Sequence, residues 1–186
     1  MTSVSEKVAK AGAFDYQAGR YPEMDAFDLF RGVLKGAMRE WPVRPQDIDG
    51  LLTHPCGYVS HPDNYVHDRL VSELGIRPTF LETVNMGGQT YLAMVNRASL
   101  AISAGQCSAV LCMAGGKFLK PSAGGGEMMA RAISHPNLEV PYGTFIPALY
   151  GLIATQFMHE RNVKPEDLAR VAVAARKWAL INPKAR

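Results

Sequence analysis

Charge is sparse in this chain and never gathers. The 186 residues carry 20 Lys and Arg against 17 Asp and Glu, a formal net charge of +3, and the basic residues are scattered rather than blocked. Such a surface gives a phosphate backbone little to grip, which argues against nucleic acid as a partner. Long apolar runs are also missing. No window approaches the roughly 18 apolar residues that a membrane span needs, and MTSVSEKVAKAG at the start has no hydrophobic core of a secretion signal. A cytoplasmic location without a membrane span is the expectation. Cysteine is scarce and odd in number: Cys56, Cys107 and Cys112 show no CxxC spacing, which excludes a disulfide framework and a thiolate zinc site. His54, Cys56, His61 and His67 cluster in sequence, yet their spacings match no common ligand pattern, so no metal is expected. No internal repeat or low-complexity segment stands out.

Hydrophobicity, by contrast, is plentiful at 47% of residues, enough for a sizeable core in one domain. From Met24 to Trp41 apolar residues recur as Met24, Phe27, Phe30, Val33, Leu34, Ala37, Met38 and Trp41, the spacing of an amphipathic helix that Pro42 and Pro45 end. Ile48 to Thr53 reads as a short buried strand, Asn64 to Leu74 as a helix stopped by Gly75, Thr79 to Val84 as a strand, Gln89 to Ala104 as a helix and Cys107 to Ala114 as an apolar strand. Strand, helix and strand poor in charge are what a βαβ crossover with a buried helix requires. The chain then turns irregular from Gly115 to Gly143, with the run Pro121 to Gly126 as a loop, and long loops in compact domains often bind ligands. Two helices follow, Ile146 to Glu160 and Pro165 to Leu180, the second with Leu168, Val171, Ala172, Ala175, Trp178 and Ala179 on one face.

The stretch TVNMGGQTYLAM, residues 83–94, sets a strand against a glycine pair and then a helix. That order aims backbone N–H groups and the positive end of the helix dipole past the sheet edge, where an anion, an oxyanion or a thiolate would be stabilised. No cysteine stands there. The plain alternative is a tight strand-to-helix turn that needs glycine for its backbone. Cys107 and Cys112, alternating through a strand, read as inert core thiols; Cys56, in the loop stretch His54-Pro55-Cys56-Gly57, is a candidate for exposure, although a structural or incidental role is the simpler reading. Tyr142, in Pro141-Tyr142-Gly143, either lines a pocket or caps the core, His159 reads as a solvated surface histidine, and Lys117 and Lys120 read more simply as a solvated basic loop than as contacts to a ligand's phosphate.

TVNMGGQTYLAMVNRASLAISAGQCSAVLCMAGG resembles the buried nucleophile helix and following strand of the thiolase superfamily, in its thiolase-like, lipid-transfer-type branch. RPQDIDGLLT resembles the family's link from first helix to second strand, and VPYGTFIPALYGLIATQFMHERNVKPEDLARVAVAARKWALINPKA its helix pair after the substrate loop. The resemblance covers residues 24–186, leaving 1–23 a poorly matched segment without the family's apolar first strand, and places the substrate loop at 115–143. It implies an α/β fold, a mixed β-sheet around a buried helix, forming one half of a five-layered αβαβα architecture. Its two similar halves are represented here by the first alone, which implies assembly, as a homodimer, and an acid or base supplied from the other half.

The family's nucleophilic cysteine falls on Gly88, so covalent thiolysis through that residue is in doubt, while Thr90 keeps the place of a serine at the helix start. The resemblance then implies acyl-CoA as substrate, with Gly87, Gly88, Gln89, Thr90, Tyr142 and Gly143 binding it, coenzyme A thioester serving as substrate with no further cofactor. It is similar to cysteine-lacking relatives that cleave β-hydroxyacyl-CoA by a retro-aldol step with a small OB-fold and zinc-ribbon partner. A non-catalytic lipid- or acyl-CoA-binding scaffold of the same fold is the alternative. An acetyl-CoA acetyltransferase using Cys56 is the third.

Overall fold

The computed structural model describes residues 8–55, 66–116, 130–131, 133–143 and 146–185, with the side chain of residue 66 outside that description. They form two compact units, one of residues 8–16 and 21–116, the other of residues 17–20 and those from 130 onward.

The first unit is built on a helix, α1 (Ala26–Glu40). Its start is fixed by a reciprocal cap: Asp28 N–H donates to the Asp25 carboxylate at 2.7 Å, and Asp25 N–H to the Asp28 carboxylate at 2.9 Å. The described residues ahead of it form no strand, and Phe14 and Tyr16 among them strap its outer side. A Cβ at Gly36 would stand 2.1 Å from Phe14 Cζ, and one at Gly32 2.8 Å from Tyr16 Cε2. Two glycines one turn apart thus give the rings a flat bed, and Phe14 meets Trp41 edge-on with centroids 6.4 Å apart.

Three strands follow, β1 (Gly50–Thr53), β2 (Phe80–Thr83) and β3 (Val110–Met113), in the spatial order β2-β1-β3. Both pairings are parallel, with Leu51 opposite Leu81 and Leu111, and Thr53 opposite Thr83 and Met113. The expected mixed sheet is therefore corrected: all three described strands run one way. α2 (Val66–Leu74) connects β1 to β2, and α3 (Thr90–Ser103) carries the chain from β2 across to β3. The two connections step in opposite directions along the sheet. Since parallel crossovers keep one hand, the helices must take opposite faces.

They do. Leu51 and Met113 pack with Phe30 and Leu34 of α1 and Leu70 and Leu74 of α2, while Leu52 and Val84 pack with Met94 and Ala98 of α3 on the other face. Burial of Phe30, Leu51, Leu52 and Leu70 is complete, and each such side chain stabilises the fold by about 1.5–3 kcal/mol through water removal. Arg31 of α1 pairs with Glu73 of α2, tying the first layer together at the surface. The incoming third strand is held by Asp49, whose carboxylate accepts the N–H groups of Ser108 at 2.8 Å and Ala109 at 2.7 Å. Those donors hold the Asp49 carboxyl below its usual range.

The helix expected to be buried, α3, is buried along one face only: Thr90, Met94, Ala98 and Ala101 point inward, while Leu92 is 78% exposed and Tyr91, Val95 and Leu100 are exposed with it. Cys107 precedes β3 and is buried, as expected of a core thiol. Cys112 departs from that expectation. It lies opposite Leu52 on the α3 face and keeps solvent contact, because the helix covers that face incompletely.

The second unit contains a 3-10 turn (Val140–Tyr142) closed by Gly143 at φ +67°, then α4 (Ile146–Arg161) and α5 (Pro165–Ile181). Asn162, at φ 50°, ends α4 in the left-handed conformation, and Val163 N–H reaches back to the Met158 carbonyl at 3.0 Å. Pro165 opens α5, where a missing N–H costs nothing. Tyr150, Leu152, Ile153 and Phe157 of α4 and Val171, Trp178, Leu180 and Ile181 of α5 are exposed.

Candidate functional site at the carboxyl ends of the strands

In open parallel sheets ligands bind beyond the carboxyl ends of the strands, because the loops and helix N-termini converge there. In the first unit that edge is formed by Thr53-His54, by Thr83 to Thr90, and by Met113.

The link from β2 to α3 is a single 3-10 turn, Gly87–Gln89, running straight into the helix. Gly87 has φ +60°, so the turn itself demands glycine at that position. Gly88 differs. Its φ lies outside the left-handed region, and a Cβ built on it meets no atom within 4 Å. The turn explains the first glycine and not the second. Thr90, the first residue of α3, is fully buried and serves the turn: its hydroxyl donates to the Gly87 carbonyl at 2.7 Å and accepts the Met86 N–H at 2.9 Å. Gly87 N–H leans on Asn85 Oδ1 at 3.5 Å. The four expected residues Gly87, Gly88, Gln89 and Thr90 are thus brought together as one fixed turn at a helix N-terminus. Tyr142 and Gly143 belong to the other unit, where Tyr142 is strongly exposed at the end of its 3-10 turn.

Three residues that the sequence did not single out for this edge stand beside the turn. Thr53 and Thr83, the last residues of β1 and β2, join hydroxyls at 3.2 Å. His67 of α2 places Nδ1 on the Thr83 hydroxyl. A fourth is His54, which, like His67, had been considered only as a metal ligand. Its ring lies against Tyr91 in the first turn of α3, with centroids 6.1 Å apart. Its Nδ1 is 3.0 Å from the Pro55 carbonyl, which can only accept, so the neutral ring carries its proton on Nδ1. Burial pushes its pKa down, against a smaller opposing pull from that carbonyl, and keeps the imidazole neutral near pH 7. The signal available in sequence was slight: a threonine closing each of two strands, with a histidine at the second position of the helix that connects them.

No cysteine among the described residues supplies a thiolate to this turn. Cys107 is raised by burial and then by the Asp49 carboxylate, and desolvation pushes Cys112 up to about 11, although its side chain still touches water. Cys56, His61, Lys117 and Lys120 lie outside the described residues. Among the described ones no group of three or more His, Cys, Asp or Glu gathers closely enough to hold a metal ion, and no helix is long and apolar enough to cross a membrane.

An open parallel α/β sheet with a strand–glycine–helix turn at its carboxyl edge, and no side-chain nucleophile in that turn, is the class these observations define. Comparison with known proteins finds relatives whose chemistry is named. The chain is 29% identical over 157 residues to a steroid side-chain-cleaving aldolase of Thermomonospora curvata, and 27% identical over 164 residues to a 17-hydroxy-3-oxo-4-pregnene-20-carboxyl-CoA lyase of Mycobacterium tuberculosis. Each alignment takes in 80% of this chain and 39% of the relative, so the chain spans about two fifths of the length of the curated relatives it matches. In structure it is similar to a chain of an Ltp2–ChsH2(DUF35) aldolase, with a TM-score of 0.66 and 26% identity over 88% of this chain and 41% of that one. No family profile matches. Its homologues are thus an aldolase and a lyase of steroid side chains.

Proposed function

We propose that this chain is a thiolase-like subunit acting on acyl-CoA thioesters, and that it takes part in retro-aldol cleavage of a β-hydroxyacyl-CoA without a covalent intermediate. The observation that carries this reading is Gly88, a glycine that neither backbone nor packing requires, at the position where the resemblance puts the family's nucleophile. Its homologues' names, aldolase and carboxyl-CoA lyase, supply the reaction type.

In such a cleavage a base takes the proton of the β-hydroxyl, that oxygen's electrons form a carbonyl at Cβ, and the Cα–Cβ bond breaks. Its electron pair becomes the enolate of the thioester, which is then protonated at Cα to release the shortened acyl-CoA. Charge therefore develops on the thioester oxygen, and backbone N–H donors at the start of α3, held by the Thr90 hydroxyl, are suited to stabilise it. The turn offers no side-chain acid or base, so that group comes from elsewhere in the assembly. A homodimer completed by a small OB-fold and zinc-ribbon partner is the assembly proposed.

The test is cleavage of a synthetic β-hydroxyacyl-CoA by the protein with its co-purifying partners, following carbonyl product and shortened thioester by mass spectrometry alongside the intact mass of the chain. Turnover with no acyl adduct is expected. A stable adduct on any cysteine would instead point to acyl transfer, and thioester binding without turnover to a non-catalytic acyl-CoA-binding scaffold.

A further inference from the structure

Thr53 is fully buried, and the partner of its hydroxyl is Thr83. Thr83 in turn meets Nδ1 of His67, and Nε2 of His67 faces Oδ1 of Asp68 at 3.4 Å. With the ring proton on Nε2, the side that faces this carboxylate, Nδ1 accepts from the Thr83 hydroxyl. The Thr83 oxygen is then the acceptor for Thr53. Every hydroxyl donates once and no buried donor is left over.

This chain of contacts joins three elements at one level: α2, the end of β2 and the end of β1. Thr83 is also the residue from which the link Val84-Asn85-Met86 leads to Gly87. Above it, Val84 N–H donates to the Thr53 carbonyl at 2.8 Å, the last backbone bond before the turn leaves the sheet. We propose that His67, through Thr83 and Thr53, is a positioning residue for the Gly87–Thr90 turn, fixing where the turn's donors stand relative to the sheet. On the α3 face the exit of β2 is held by Val84, packed against Met94 and Ala98, and by that backbone bond; on the opposite face the side-chain chain from His67 supplies the hold that limits how far the turn can shift. A displacement of about 1 Å at a reacting centre can cost on the order of a hundredfold in rate.

The catalytic consequence rests on the reading of the turn as an acyl-CoA site; the positioning itself does not. Two readouts separate them. In the full assembly, Thr83→Val and His67→Gln are compared with wild type by hydrogen–deuterium exchange and by kcat and KM for the CoA thioester. Expected are at least about tenfold faster exchange at Met86 and Thr90 with α1 unchanged, a fall in kcat of about tenfold to a hundredfold with KM nearly constant, and restoration of most of both by Thr83→Ser, which keeps the hydroxyl. Unchanged exchange at the turn, or exchange that rises equally across α1, overturns the proposal. If wild type itself shows no cleavage, the functional reading falls and the exchange data alone decide whether His67 positions the turn.

Discussion

The two faces of the sheet are built from the same kind of residue and finished to different degrees. On the α1–α2 face, Leu51 and Met113 meet two helices and an ion pair closes the surface over them. On the α3 face, Leu52 meets one helix, whose own outer side leaves Leu92, Val95 and Leu100 exposed, and Cys112 keeps a view of water. Parallel sheets are normally covered on both sides. The difference teaches that this unit has a self-sufficient layer and an unfinished one, and that the candidate turn sits at the start of the unfinished layer's helix.

Neighbouring leucines of β1 test that contrast most strongly. Leu51→Ala, in the finished layer, should cost towards the upper end of the roughly 2–5 kcal/mol typical of buried leucine truncation, and Leu52→Ala towards the lower end, because one-sided cover can settle into the space. Equal losses in denaturant unfolding would remove the contrast. Next comes the glycine pair. Gly87→Ala must hold a side chain at φ +60° and should lose about 1–2 kcal/mol, whereas Gly88→Ala should change stability by less than about 0.5 kcal/mol. A matching loss at Gly88 would mean that both glycines are structural and would weaken the case for a site.

A smaller effect is expected at Asp49. Its folded carboxyl lies below the ordinary range, so its contribution is present above the unfolded pKa of about 3.9 and disappears as pH falls through the lower folded value. Thermal unfolding of Asp49→Asn should therefore trail wild type at neutral pH, and the gap should narrow below about pH 4. A gap that is constant with pH would show that the ionised oxygens do not hold the third strand. The smallest effect belongs to Leu92→Ser, whose side chain is exposed in the first unit as described, and it should shift stability by less than about 0.5 kcal/mol. A larger loss in the assembled protein, measured side by side, would locate the missing cover.

Much of this was legible beforehand where the signal is local. The apolar spacing from Met24 to Trp41 placed α1 to within two residues at either end, Gly75 marked the end of α2, and the glycine pair marked the start of α3. Periodicity reports which face of an element is apolar; it carries no information about what lies opposite. For that reason the parallel course of every strand, the strap of Phe14 and Tyr16 over Gly36 and Gly32, and the exposure of Cys112 emerged only in three dimensions. The network from His67 to Thr53 escaped notice for the same reason, since its members are far apart in sequence and each alone is an ordinary residue. At the turn, sequence grouped residues 87–90 correctly as a unit, but telling a glycine the backbone needs from one it does not required a dihedral angle.

The Asp49 clamp also has a consequence for the order of events during synthesis. β1 can pair with β2 after 30 residues of intervening chain, whereas Asp49 must wait for Ser108 and Ala109, 59 and 60 residues downstream. Doubling a loop adds only about 0.6 kcal/mol of closure entropy, so the wait is one of delivery. Until residues 108 and 109 have been made, the β3 side of β1 has no partner to receive, and the arrival of their two amides at Asp49 completes the three-stranded sheet.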